Sequence, residues 1–463
     1  MRVLMLAPHP VYAPRGTPIS VFNRCRALCA LGHRVTLVTY PIGQSVPVEG
    51  LAYHRAWCPG FRRVDVGPSF AKLVLDGAVA TRSLLEGLAG RGRFDVVHAH
   101  EEAGLFAPAV ARLAGAPFVY DMGNDWAVVL GNYGLGDAHP AVRAARLLER
   151  WVLRRAAVVI AQFPSLAQAV RDASGTPVET VYNVSLDPDP DPGAVEGFRR
   201  RWSPAGERVV LYTGTLEPYQ GIPTLLDAVA QLVPGRHDLR LVIAGGTERQ
   251  VEATRRRAVD LGVAGAVELV GTLGPEVVPA ALAAADALVS PRATGTNTPL
   301  KIFSYLRSGT PIVATDIPAH RQVLDPASCA LVAPTAAGLA EGIGRVLDGG
   351  PAVAAQRAGA RALDERYGVA GHLGAIGRAY AQLGAPEPGP GELQAAVERL
   401  AAWSMPGVGV GEPGVPEPGG RRAAVPEPGV PEPGVLVPIG AGAPPASTEG
   451  PAAPVAGEWA VGQ

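Results

Sequence analysis

The most chemically suggestive stretch of the chain is Gly-Thr-Asn-Thr-Pro-Leu-Lys at 295–301, which sets one of only two lysines beside a polar loop. The other is Lys72, and every remaining side-chain cation apart from histidine is an arginine. Thr298 reads as an N-cap and Pro299 as the first helical residue, where a missing N–H costs nothing. Gly309 then ends the helix, and the apolar run 311–315 reads as a buried strand. A Gly/Thr/Asn loop entering a helix offers free backbone N–H groups to an anion. Lys301 would add a mobile positive charge, with Arg292 a second cation close in sequence. The chemistry implied is phosphate binding. The plainer alternative is a lysine whose stem covers core while its head faces solvent.

Four other stretches carry candidate groups. In 9–22 (HPVYAPRGTPISVF), Gly16 removes a side chain and Thr17-Pro18 repeats the cap-and-proline start. This is not a GxGxxG fingerprint, so dinucleotide binding loses its support. In 94–102 (FDVVHAHEE), His98 and His100 share one side of a strand and Glu101 and Glu102 follow. Such a pair could ligate a metal, but no further compact His/Cys cluster completes the shell. The expectation is therefore no metal, with His98 a satisfied core residue and His100 and Glu101 at the strand tip. In 119–126 (VYDMGNDW), Asp121 and Asn124 suit sugar hydroxyls or, equally, an Asx-type turn. In 211–222 (LYTGTLEPYQGI), the backbone around Gly214, Gln220 and Gly221 could meet phosphates, and the absence of a Walker lysine excludes a P-loop.

The elements that must position these groups alternate in type along the chain. Strands are expected at 2–7, 34–40, 95–100, 117–122 and 157–162, and again at 208–214, 239–245, 267–271, 287–291 and 311–315, with helical runs between. Two such series predict an α/β protein of two Rossmann-like parallel-sheet domains, at 1–185 and 208–368, joined by a Pro/Asp-rich linker at 186–207. Both would bind ligands at the carboxyl ends of their strands. The helix 141–156 carries Arg143, Arg146, Arg150 and Arg154. It could lie on an anionic membrane, or present a solvated arginine face over a core-facing stripe that includes Leu148 and Trp151. From 385 to 463 a low-complexity Pro/Gly/Ala tail repeats EPGVPEPG at 412–419 and 427–434. Within it, 391–405 sets Leu393, Val397 and Leu400 on one helical face, able to dock on the body or on a protein partner.

With 463 residues the chain can hold two or three cores, and 42 acidic against 41 basic residues imply no nucleic-acid partner. Cys25, Cys29, Cys58 and Cys329 make no metal-ligand pattern, and Cys25 and Cys29, one helical turn apart in an apolar stretch, read as buried free thiols. The N-terminus enters a strand-like run without a signal-peptide pattern, and no run reaches the ~18 apolar residues of a membrane span. The expected location is the cytoplasm, extending to the inner face of the membrane.

Over residues 1–384 the chain resembles family 4 of the retaining, nucleotide-sugar-dependent glycosyltransferases. The match is most specific at 295–318, with support from ALGHRVTLVT (30–39) and FDVVHAHE (94–101). The resemblance implies a GT-B fold, with a nucleotide-sugar domain at 208–368, an acceptor domain at 1–185 and a crossover helix at 369–384. It also implies metal-independent transfer of a sugar to an acceptor hydroxyl in glycoconjugate synthesis, with no cofactor beyond the donor. Carried onto this sequence, the donor-binding set is Gly16, Thr17, Gly214, Thr215, Gln220, Arg292, Gly295, Thr296, Asn297, Thr298, Leu300, Lys301 and Ser304. Lys301, Asp121 and Asn124 are the catalytic candidates, and His100 and Glu101 face the acceptor.

The departures from the family are informative. Thr296 and Ser304 stand where the family has two glutamates, Thr215 and Gln220 where it has Arg and Lys, and Gly123 where it has histidine. Two cations are thus lost from a diphosphate site, each charge-assisted contact worth ~1.5–3 kcal/mol. Lys301 is expected to compensate. The rival reading is a non-catalytic scaffold of the same fold with a degenerate donor site. An epimerase or phosphorylase would need a base or cofactor lysine that no motif supplies.

Overall fold

The computed structural model describes residues 1–12, 16–58, 60–61, 69–132, 134–187, 189–295 and 297–403. Strands β1 (Arg2–Ala7), β2 (Arg34–Thr39), β3 (Leu51–Arg55), β4 (Val96–His100), β5 (Phe118–Met122), β6 (Val158–Ala161) and β7 (Val178–Thr180) form one sheet in the order β3-β2-β1-β4-β5-β6-β7. A second sheet contains β8 (Arg208–Thr213), β9 (Leu239–Ala244), β10 (Val267–Gly271), β11 (Ala287–Ser290), β12 (Ile312–Thr315) and β13 (Ala330–Val332), in the order β10-β9-β8-β11-β12-β13. Every pairing in both is parallel.

Side-chain alternation explains why both faces are covered. Along β1, Val3 and Met5 enter one apolar cluster and Leu4 and Leu6 another, all at zero exposure. In β8, Val210 and Tyr212 enter one cluster and Val209 and Leu211 the other. A strand apolar on both sides must be covered by helices on both sides. The doubly wound α/β expectation therefore holds. The sequence reading missed β3, β7 and β13. These are short outer strands of three to five residues, and β3 is only half-buried, so neither length nor apolar content marks them.

The structure corrects three expectations outside the sheets. The supposed linker 186–207 contains a helix, Pro192–Trp202, in which the Asp191 side chain accepts the Ala194 N–H at 2.7 Å. Asp191-Pro192 is thus a cap followed by an N1 proline, and Trp202 is buried in the second domain's core. The tail does not begin at 385. Pro390–Ala402 is a helix that buries Ala396 and Leu400 against Gly16–Ala30 and Val369–Ala381. Arg26 donates to the Leu400 carbonyl at 3.2 Å, and Arg399 to the Ala30 carbonyl at 2.8 Å. Both EPGVPEPG repeats fall outside the described residues. Finally, the arginine-rich helix, Pro140–Leu153, buries Val142, Ala145, Val152 and Leu153 but leaves Leu147, Leu148 and Trp151 exposed. The core-facing stripe therefore excludes Leu148 and Trp151.

Helix Val369–Ala381 packs on the first sheet, where His33 stacks on Tyr380 and His372 bonds to the Tyr182 carbonyl at 2.7 Å. Burial pushes His372 down to about 3, helped by Arg24, and His320 in the second domain down to about 4, helped by Arg292 and Lys301. An unfolded histidine titrates near 6.5, so between ~6.5 and these values the unfolded chain binds more protons. Stability is fully present above that window and is lost as pH falls through it, each ring costing about 1.4 kcal/mol for every pH unit crossed. Calorimetric Tm should fall steadily from pH 7 to pH 4.5. A flat profile would contradict the neutral burial of these rings.

Candidate active site

In each sheet the strand order reverses beside the first strand, between β1 and β4 and between β8 and β11. The loops leaving those strands must part, and the opening at the carboxyl ends is where such sheets take ligands. The sequence's candidate groups fall largely on these four loops.

In the second domain, the β8 loop turns at Gly214, whose φ is 139°. That φ disfavours any side chain, and a Cβ there would lie 2.7 Å from the Lys301 Nζ, so the lysine head would have to shift. The Lys301 Nζ sits 3.9 Å from the centre of the Tyr212 ring and donates to the Gln220 Oε1 at 3.4 Å. The Gln220 amide reaches the Thr215 Oγ1 at 3.5 Å, and the Tyr212 hydroxyl donates to the Thr215 carbonyl at 2.6 Å. Gly214, Thr215, Gln220 and Lys301 are therefore brought together. The lysine residue as a whole is half-buried. Burial, reinforced by Arg292, pushes its pKa well below the usual lysine value. Among the described residues no carboxylate pairs with it.

Arg292 plays a different part from the one expected. It is buried, and its guanidinium donates to the Thr294 carbonyl at 2.8 Å, the Asn297 carbonyl at 3.1 Å and the Asn297 Oδ1 at 2.9 Å. The loop wraps around this cation, and Gly295, with φ 128°, has no room for a Cβ beside it. Arg292 thus positions the loop and has few donors left for a phosphate. Thr296 lies outside the described residues. Thr298 does not cap the helix. The helix starts at Lys301 after Leu300, and the buried Thr298 hydroxyl has no partner. The correction has a local cause: residues 299–303 begin with short-range turns, Ile302 N–H to Pro299 and Phe303 N–H to Leu300. Ser304, one helical turn after Leu300, donates to the Asp187 carboxylate at 3.0 Å. Sequence reasoning missed Asp187, which lies outside every motif.

In the first domain, Asp121 is fully buried and cannot meet a ligand directly. Its Oδ2 accepts from the Arg24 Nε at 2.8 Å and lies 3.2 Å from the His98 Nε2. Burial alone would raise this carboxyl, but Arg24 and His98 hold it far below the carboxylate range. His98 is also bonded to the Tyr380 hydroxyl at 2.8 Å, as expected of a satisfied core histidine. The catalytic assignment of Asp121 is therefore replaced by a positioning one, because two cationic or donor partners consume it. Asn124 is half-buried just beyond β5, while Asp125 caps the next helix through the Ala127 and Val128 N–H groups. Gly16 is exposed and Thr17 half-buried at the start of Gly16–Ala30.

His100 is buried, and neither ring nitrogen has a hydrogen-bond partner among the described residues. Beside it stand Glu101 and, from the β1 loop, His9, which sequence reasoning passed over. The rings of His9 and His100 meet edge to face at 5.4 Å, and His9 Nε2 lies 3.4 Å from the Glu101 Oε2. A Cβ at Gly123 would lie 2.5 Å from the Glu101 Oε1 and 3.1 Å from the Gln162 Nε2. The Glu101 carboxylate thus fills the space into which a side chain at 123 would project.

Comparison with known proteins agrees with this architecture. Residues 16–184 match the model described as "Glycosyl transferase 4-like domain", and 207–349 match "Glycosyl transferases group 1". A phosphatidyl-myo-inositol mannosyltransferase of Mycobacterium tuberculosis is 25% identical over 360 residues, 75% of this chain and 88% of the relative. A D-inositol 3-phosphate glycosyltransferase of Streptomyces scabiei is 28% identical over 347 residues, 68% and 76% of the two chains. Among solved structures, Anabaena HepE in complex with UDP-glucose superposes with a TM-score of 0.64 at 19% identity, covering 82% of this chain and 99% of that one.

The close approach at Gly214 can be tested without any ligand. Gly214→Ala should cost roughly 1–3 kcal/mol through backbone strain and displacement of the lysine head. Chemical denaturation measures this, and an unchanged midpoint would contradict the packing described.

Proposed function

The chain belongs to family 4 of the GT-B glycosyltransferases, and on that premise we propose that it transfers a sugar from a nucleoside-diphosphate donor to an acceptor hydroxyl with retention at the anomeric carbon. One observation carries the donor assignment. The Lys301 ammonium is held without a carboxylate partner among the described residues, within reach of Gln220 and beside the bare backbone of Gly214. A positive charge stripped of water and of counter-charge is complementary to a leaving diphosphate. Its stabilisation would grow as the glycosidic bond breaks, which is where electrostatic catalysis acts. The lysine reaches Gln220 from another loop, so it makes good the cation missing at that position. Asn124 and the Gly16–Thr17 turn are the groups left to orient sugar and acceptor, and the diphosphate itself would take the acceptor proton. The UDP-glucose held by HepE and the inositol-based acceptors in the relatives' names supply the first compounds to try.

Calorimetric titration with UDP, GDP and ADP tests this reading. One of them should bind at micromolar concentration, and Lys301→Ala should weaken it by tenfold or more, about 1.4 kcal/mol. Because the free lysine has a depressed pKa and a bound diphosphate would raise it, binding takes up protons between the two values. The measured heat should then vary with the ionisation enthalpy of the buffer. No binding of any of the three at millimolar concentration would favour the scaffold reading, which the engagement of Ser304 by Asp187 already suits.

The exposed Leu147, Leu148 and Trp151, interleaved with the exposed Arg143, Arg146, Arg150 and Arg154, fit an acceptor presented at an anionic lipid surface. No described helix is long and apolar enough to cross a membrane, so the contact would be peripheral. Sedimentation with anionic vesicles should exceed that with neutral ones and fall sharply in Arg146→Glu/Arg150→Glu. Equal recovery with both vesicle types would remove this part of the proposal.

A further inference from the structure

The group at the carboxyl ends of β1 and β4 has a composition that the donor site does not use. We propose that His9, His100 and Glu101 form a binding site for a divalent transition-metal ion, with zinc the best match to the donor set.

Geometry carries the inference. The ligand atoms available from the three residues all lie within 4.8 Å of one another. His9 Nε2 and Glu101 Oε2 are 3.4 Å apart, and two ligands of a tetrahedral zinc at ~2.0–2.2 Å are separated by about that distance. His100 is 1% exposed with both ring nitrogens unpartnered, so a lone pair is left without an acceptor role inside the fold. Such a group calls for a partner, and a metal supplies one.

The backbone is arranged to the same end. Glu101 has φ 49°, a left-handed conformation that a glutamate rarely adopts. This sharp departure from β4 turns its carboxylate back toward the β1 loop. His9 is fixed in its turn, since its carbonyl accepts from the buried Thr39 hydroxyl at 2.6 Å and its N–H donates to Ala7 at 2.8 Å. The nearest lysine does not compete for the site, because Lys72 is paired with Asp76 and Glu102, each at 3.1 Å.

The sign of the charge selects the ligand. Two carboxylates, Glu101 and Glu102, lie 3.4 and 3.7 Å from His9, which opposes a phosphate and favours a cation. Two imidazoles and one carboxylate favour zinc or another first-row ion over magnesium, which prefers oxygen ligands. Three protein ligands leave a tetrahedral ion one position open to water or an acceptor hydroxyl. Such a site departs from the metal-free expectation. It stands independently of the donor site, which lies on the other sheet.

The test uses the full chain, stripped with a chelator, dialysed and titrated calorimetrically with zinc chloride and, in parallel, magnesium chloride. The expected result is one zinc per chain at micromolar affinity or tighter, with no comparable magnesium binding. His9→Ala and Glu101→Gln should each weaken zinc by at least tenfold while the far-ultraviolet dichroism stays unchanged. Should either variant fail to fold, cobalt added to the unmodified protein gives a second reading: intense tetrahedral ligand-field bands support the site, and the weak spectrum of the aquo ion overturns it. Absence of stoichiometric zinc binding, or binding undiminished in both variants, also overturns it. Titrating the same samples with nucleotide separates this result from the fate of the donor reading.

Discussion

The structure turns on a charge, that of Lys301, which has no carboxylate partner among the described residues. An ammonium moved out of water is unfavourable unless something negative or strongly polar replaces the lost hydration. At Lys301 the replacement within the chain is slight: the face of Tyr212 at 3.9 Å and one amide oxygen at 3.4 Å. A cation–π contact and a neutral hydrogen bond compensate in part, and the depressed pKa reflects the shortfall. The surroundings are built to keep the group there all the same. Gly214 clears the space, Gly295 lets the loop close on Arg292, and Arg292 spends its donors on that loop. On the function proposed above, this scaffolding would hold the cation ready for an anion that arrives from outside.

The first domain uses charge in the opposite way. Asp121 is deeply buried, but Arg24 and His98 satisfy it, and Tyr380 completes the chain of contacts from the crossing helix. The network fixes Gly16–Ala30, β4, β5 and Val369–Ala381 against one another. It thereby fixes the loops that leave β1, β4 and β5. Two residues further along β4 the pattern reverses, since His100 has the burial of His98 without its partners. Two histidines on one face of one strand thus differ in their partners among the described residues, and the proposed metal site rests on that contrast.

That contrast also marks where the sequence stops being legible. Two parallel sheets could be read from apolar runs alternating with amphipathic ones, and the donor loop from a rare lysine next to a Gly/Thr/Asn run. Those signals are local. What was missed depends on partners distant in sequence. His9 meets Glu101 across ninety-odd residues because β1 and β4 are neighbours, and no spacing rule contains that fact. Asp121 looked catalytic at a strand tip because Arg24, which consumes it, sits on another element. Arg292 is a different case: its partners, Thr294 and Asn297, lie in its own loop, and what was not legible was that this loop folds back around the guanidinium. The helix at 390–402 was legible despite its low-complexity context, because Leu393, Val397 and Leu400 carry the periodicity of a docked face; its choice of the body over a partner was not.

A crystal structure of the chain with the nucleoside diphosphate it binds would test the central claim most directly. The expected result is a diphosphate oxygen within about 3 Å of the Lys301 Nζ, the distance of a charge-assisted hydrogen bond, with Gln220 and the Gly214 backbone lining the same site. A diphosphate bound elsewhere, with the Lys301 ammonium still resting on Tyr212 and Gln220 alone, would contradict it.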